Sequence, residues 1–124
     1  MKRVILDTNF LLAISQFHID VFSELKRICN FPFTVCILDK TVDELNSIVS
    51  TPGKKDKAAA RLVLEIIKGR ADIISAGDGY ADDLLVRLAD KDTVIATQDR
   101  ELKKRINTLI ITIKQKKYLI FENA

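Results

Sequence analysis

Five short runs rich in Val and Ile recur along the chain: RVIL at 3–6, FTVCIL at 33–38, ADIIS at 71–75, TVIAT at 93–97 and LIITI at 109–113. Apolar runs of that length, with little polar alternation, suit strands covered on both faces, as in parallel sheets. The segments between them are helical. Residues 10–29 place Phe10, Ile14, Val21, Leu25 and Ile28 at helical intervals, as two helices broken near His18. Val42, Leu45 and Val49 mark a helix at 41–50, and KAAARLVLEIIKG at 57–69 stops on Gly69. Two more helices are predicted at 82–90 and 99–106. The alternation predicts an α/β chain, with a central, mainly parallel sheet of about five strands and helices on both sides. STPGKKDK at 50–57 reads as a helix–helix loop, and KKYLIFENA at the end as an edge strand or tail. With no internal repeat and no second composition, residues 1–124 are read as one domain.

Length and composition support a folded core: 124 residues, 48% of them hydrophobic and 30% charged, exceed what a disordered chain carries in apolar side chains. The longest apolar runs are too short to span a bilayer, and MKRVILDTN enters a strand without a signal-peptide core. The expectation is a cytoplasmic protein with no membrane partner. Cys29 and Cys36 lack the spacing of a zinc site and sit in apolar company, as small buried hydrophobes. With one His and no second cysteine pair, any metal here is bound by oxygen, which favours Mg²⁺ or Mn²⁺.

Acids stand where such sheets bind ligands, beyond the carboxyl ends of the strands. Asp7 follows the first strand. Asp39, Asp43 and Glu44 follow the second, Asp78, Asp82 and Asp83 the third, and Thr97 and Asp99 the fourth. Each has a structural explanation as a helix cap. Thr41-x-x-Glu44 has the form of a capping box, and Asp7, Asp82, Thr97 and Asp99 each precede a helical run. Taken together, carboxylates at four strand ends repel one another unless a cation sits among them. The basic residues fall in clusters: Lys54, Lys55 and Lys57 with Arg61 beyond; Arg100, Lys103, Lys104 and Arg105; and KQKK at 114–117. They are either solvated faces or a rim that follows a phosphate backbone. A hard cation beside such a rim points to phosphodiester chemistry.

GDGYAD at 77–82, after a strand ending in Asp7, is also similar to the haloacid-dehalogenase-type phosphatases. Their chemistry needs a second acid two residues after the nucleophile, and here that position is Asn9. The fuller resemblance is to PIN-domain nucleases, carried in order by VILDTNFLL, the DEL of 43–45, YADDLLVRLA and VIATQDRELKKRI. GYADDLLV, ATQDRELKKRI and KQKKYLI resemble archaeal members related to the eukaryotic small-subunit rRNA-processing nuclease.

That resemblance implies an α/β/α sandwich and a Mg²⁺- or Mn²⁺-dependent endoribonuclease. It implies Asp7, Glu44, Asp83 and Asp99 as the catalytic acids, and Asp7, Asp99 and the Asp82–Asp83 pair at the metal. Of the pair we take Asp83 as the ligand and Asp82 as a cap or outer partner. Asn9 and Thr97 support the acids by hydrogen bonds, while Lys54, Lys55, Lys57, Arg61, Arg100, Lys103, Lys104 and Arg105 hold structured or ribosomal RNA. Two further roles within the same likeness are a VapC-type toxin held by an antitoxin and a weakly active RNA-binding scaffold. A homodimer and a ribosome-assembly partner are further expectations from the likeness.

Overall fold

A computed structural model describes residues 1–122. Its strands are β1 (Lys2–Leu6), β2 (Phe33–Leu38), β3 (Asp72–Ile74), β4 (Thr93–Ala96), β5 (Ile110–Lys114) and β6 (Tyr118–Glu122). Its helices are α1 (Thr8–Gln16), α2 (Val21–Ile28), α3 (Asp39–Ser50), α4 (Lys57–Ile67), α5 (Ala81–Leu88) and α6 (Arg100–Arg105). The strands form one sheet in the order β3-β2-β1-β4-β5-β6, parallel except for β6. The expected five strands thus become six. The tail supplies the sixth as an antiparallel hairpin with β5, and residues 123–124 lie outside the described residues.

Strand alternation divides the core into two. Val4 and Leu6 of β1, Val35 and Ile37 of β2, and Val94 and Ala96 of β4 face a layer built from α1 to α4. Ile5, Cys36, Leu38, Ile95 and Ile110 point the other way, onto Leu84 and Leu85 of α5 and Leu102 of α6. Two covered faces explain why these strands read as unbroken apolar runs. The result is a three-layer α/β/α sandwich. Each fully buried Leu or Ile contributes about 1.5–3 kcal/mol of transfer free energy, so the sheet is a rigid platform for its carboxyl edge.

His18 has φ +57 between α1 and α2, the helix break expected there. Gly69, at φ +73, ends the α4 segment in a conformation that side chains avoid. Both cysteines are free, and burial pushes the Cys29 thiol up to about 11, so it stays a protonated, unreactive hydrophobe near neutrality. No helix among the described residues is long and apolar enough to cross a membrane.

Candidate active site

The sheet reverses its winding at β1, with β2 on one side and β4 on the other. A crevice opens at such a switch point, beyond the carboxyl ends of the two strands. Leu6 pairs with Ala96 at the last step of the β1–β4 ladder, so Asp7 and Thr97 emerge side by side. The Asp7 amide donates to the Ala96 carbonyl at 2.9 Å, and the Thr97 amide to the Ile111 carbonyl at 3.0 Å. Both residues thus lie one step past the strands, each held to the neighbouring chain by its own amide.

Asp7 is only 6% exposed. Its Oδ1 accepts from the Thr8 amide at 2.8 Å and its Oδ2 from the Thr97 hydroxyl at 2.8 Å. It is also the N-cap of α1, so capping and display in the crevice coincide in one residue. Burial pushes its carboxyl above the ordinary range. The hydrogen bonds from Thr97 and Thr8 pull it back, and the charges of Asp82 and Asp99 push it up again. Thr97 is fully buried and joins two acids: its Oγ1 donates to Asp7 and accepts from the Asp99 amide at 3.1 Å. Asp99 N-caps α6, with Oδ1 accepting from the Glu101 and Leu102 amides at 2.9 and 3.2 Å. Both bonds fall on one oxygen and leave the other for a different partner.

The adjacent acids of α5 part company. Asp82 is the one whose charge is felt at Asp7. Asp83 turns to α6, where its Oδ1 accepts from Arg105 at 2.7 Å. Neither caps the helix: Tyr80 is the N-cap, and both acids lie in the first turn. The capping expected of Asp82 is therefore corrected.

A second correction concerns the Thr41–Glu44 box. α3 starts at Asp39, so Thr41 lies inside the helix, and its buried hydroxyl accepts from the Thr8 hydroxyl at 3.2 Å. Glu44 is exposed three residues further along α3, and the structure does not draw it into the Asp7–Thr97–Asp99 chain. Asn9 is exposed in the first turn of α1. Of the two residues expected to brace the acids, Thr97 does so through its hydroxyl, and the Thr8 amide stands beside it where Asn9 was expected.

The eight basic residues expected to hold RNA divide between two places. Gln16 donates to Asp56 at 2.8 Å, which ties the loop carrying Lys54 and Lys55, and the start of α4 with Lys57, to the last residue of α1. Nine helical residues separate that end of α1 from Asp7, a distance of about 13 Å. Arg61 lies one turn further along α4, exposed. The second cluster adjoins Asp99. A cavity of about 580 Å³ opens between α6 and the β5–β6 hairpin, lined by Gln98, Arg100, Lys103, Lys104, Lys114 and Glu122 among others.

Lys103 is committed within that cavity, to the Thr112 hydroxyl at 2.8 Å and to Glu122 at 3.1 Å. Arg105 is held by Asp83, and Lys104 by Glu101 at 3.3 Å on the open surface. Two residues with no role assigned from the sequence help to hold the site's framework. Gln98 accepts from the Thr112 hydroxyl and the Ile113 amide, both at 2.7 Å, and so pins the turn between Thr97 and Asp99. Thr8 joins α1 to α3. Neither has a sequence signal beyond its proximity to an acid, because its partner lies 14 to 33 residues away.

Among the described residues, no three His, Cys, Asp or Glu side chains converge closely enough to hold a metal ion as they stand. The donor set still suits one. Asp7, Asp82 and Asp99 offer only oxygen, and their mutual repulsion raises Asp7, which a hard cation would relieve.

Comparisons with known proteins bear on this geometry. A family model described as a PIN like domain matches residues 4–116. Ribonuclease VapC4 of Methanocaldococcus jannaschii is 30% identical over 125 residues, covering 95% of each chain. Among solved structures, the PIN domain endonuclease Utp24 superposes with a TM-score of 0.80 at 27% identity, over 98% of this chain and 92% of that one. A domain of a functionally unknown protein, also from M. jannaschii, shares the fold at a TM-score of 0.54 and 15% identity, over 84% and 83%.

Proposed function

The chain belongs to the PIN-like domain family, and from that premise we propose that it is a divalent-metal-dependent endoribonuclease. The observation that carries the proposal is the Asp7–Thr97–Asp99 hydrogen-bonded chain at the β1–β4 switch point, with Asp82 near enough for its charge to reach Asp7. VapC4 supports ribonuclease activity by name and Utp24 supports endonuclease activity, each along nearly the whole chain.

In this proposal Asp7, Asp82 and Asp99 hold Mg²⁺ or Mn²⁺. A bound ion of that kind acidifies water and steadies the departing oxygen of a phosphodiester. The chain's own residues do the rest. Thr97 and the Thr8 amide fix the Asp7 carboxylate in one orientation, so its reorganisation cost is met on folding. Glu44, exposed on α3, is free to orient the attacking water or take its proton. Asp82 replaces Asp83 as the favoured ligand, because Asp83 is turned to Arg105 while the charge of Asp82 acts on Asp7. Arg100, Lys104 and Lys114 grip phosphates beside Asp99 without reading bases.

For the cellular role, processing of ribosomal or other structured RNA is the first reading. The VapC4 relative favours a second, a toxin restrained by an antitoxin. Cleavage of a labelled structured RNA in Mn²⁺, Mg²⁺ or EDTA tests the activity. Wild type should cut with metal only, and Asp7→Asn and Asp99→Asn should not. Equal cutting by all three proteins would sink the metal-nuclease assignment. Growth arrest on expression, relieved by a neighbouring small reading frame, would mark the toxin.

A further inference from the structure

Tyr80 is the most exposed aromatic side chain among the described residues, at 83%. It sits two positions before Asp82. It also occupies the N-cap of α5, where Ser, Thr, Asp or Asn would bond the free amides of the first turn. Tyr80 makes no such bond; only its carbonyl serves the helix, accepting from the Leu84 amide at 3.1 Å. The chain thus forgoes a cap at this position and presents a ring to water instead.

The segment before it is built to hold that shape. Gly77 and Gly79 have φ of +90 and +125, conformations that side chains rarely adopt. Tyr80 itself has extended backbone, φ −76 and ψ 146, as it leads into the helix. The other tyrosine, Tyr118, is packed under the Arg27 guanidinium.

The surroundings limit what such a ring can bind. The acids beside it repel phosphate, and the cations that attract phosphate lie on α6, where Arg105 reaches across to Asp83. A neutral π-face at the rim of a phosphate-cutting centre is suited to a nucleobase, and stacking of this kind tolerates any base. Only an unpaired base can present its face in this way.

Resting on the nuclease reading above, we propose that Tyr80 stacks on a nucleobase next to the scissile phosphate. Tyr80 acts here as a positioning and selecting residue rather than in the chemistry.

The test uses the intact protein and a short single-stranded RNA that wild type cuts at one site, together with versions abasic at each flanking position. Tyr80→Phe should behave as wild type. Tyr80→Ala should raise KM about tenfold, the effect of losing one stacked base, leave kcat little changed, and lose the distinction between intact and abasic RNA. The chain contains no tryptophan, so Tyr80→Trp in the Asp7→Asn background reports directly. Intact RNA should quench its fluorescence, and RNA abasic at the flanking position should not. Tyr80→Ser, a better cap, should raise Tm by about 3 °C while cutting as poorly as Tyr80→Ala, which separates stacking from folding. Unchanged KM in Tyr80→Ala, with an unquenched tryptophan and wild-type cutting intact, would overturn this inference and leave the nuclease standing. Failure of the wild type to bind or cut RNA would overturn both.

Discussion

Asp7 is a carboxylate that the fold places against its own stability. Burial raises it, two neighbouring acids raise it further, and the bonds from Thr97 and Thr8 only partly offset this. A folded state that holds a proton more tightly than the unfolded state is most stable when that proton is present. Stability therefore falls as pH rises above the ordinary value of 3.8 toward the raised folded value, and is level beyond it. Asn in its place keeps an acceptor for the Thr8 amide and removes the charge. Asp7→Asn should melt higher than wild type in EDTA at pH 7, by about 3–6 °C, with the gap closing below pH 3.8. Thermal unfolding across pH checks this. A lower Tm for the variant at neutral pH would mean that the carboxylate is stabilising. Two features at this scale were not legible from the sequence. Asp82 and Asp83 are adjacent, and adjacent residues on a helix point about 100° apart. Which one faces Asp7 depends on how Leu84 and Leu85 seat α5 on the sheet, and the partner of Asp83 is Arg105, 22 residues later. Thr41 matched a local cap, but a hydroxyl 33 residues upstream claims it.

Among the elements, β1, β2, β4 and β5 were legible because burial leaves a continuous Val and Ile signature, and the short, exposed β3 was legible from its paired isoleucines alone. β6 was only half legible. It lies at the sheet edge with mixed burial, and its turn from β5 uses Gln115 and Lys116 at positive φ, where Gly or Asn would have announced it. What secures this strand is a clamp from α2. Glu24 accepts from the Leu119 amide at 2.9 Å, Arg27 donates to the Leu119 carbonyl at 2.8 Å, and the two side chains pair at 2.9 Å. The bonds from Arg27 and from the Leu119 amide hold Glu24 below its ordinary 4.5. Its contribution is thus present above 4.5 and is lost as pH falls through the lower folded value, the opposite sign to Asp7. Glu24→Ala should cost about 1–2 kcal/mol in denaturant unfolding at pH 7 and progressively less in acid. An effect of equal size at pH 7 and pH 3 would show that the side chain acts by packing rather than by charge.

Over the whole molecule, positive charge is not a uniform rim. One cluster borders Asp99 and the other lies at the far end of α1. Short and long RNAs should distinguish them. Arg100→Ala should weaken binding of a short RNA and reduce the slope of log K against log salt by about one. Lys54→Ala with Lys55→Ala should matter only for RNA long enough to reach both places. Filter binding across salt concentrations decides between this arrangement and a single continuous track, in which both variants weaken short RNA alike. Sequence spacing alone could not separate these clusters, because the path of α1 sets the distance.

In the proposed nuclease, Asp7, Asp82 and Asp99 form the cutting centre and Asp83 lies outside it. The most direct measurement of this is single-turnover cleavage of one labelled RNA in Mn²⁺ by Asp82→Asn and Asp83→Asn, side by side. Loss of a ligand should slow Asp82→Asn by about a hundredfold or more, while Asp83→Asn should stay within about tenfold of wild type. A dead Asp83→Asn beside an active Asp82→Asn would contradict the account.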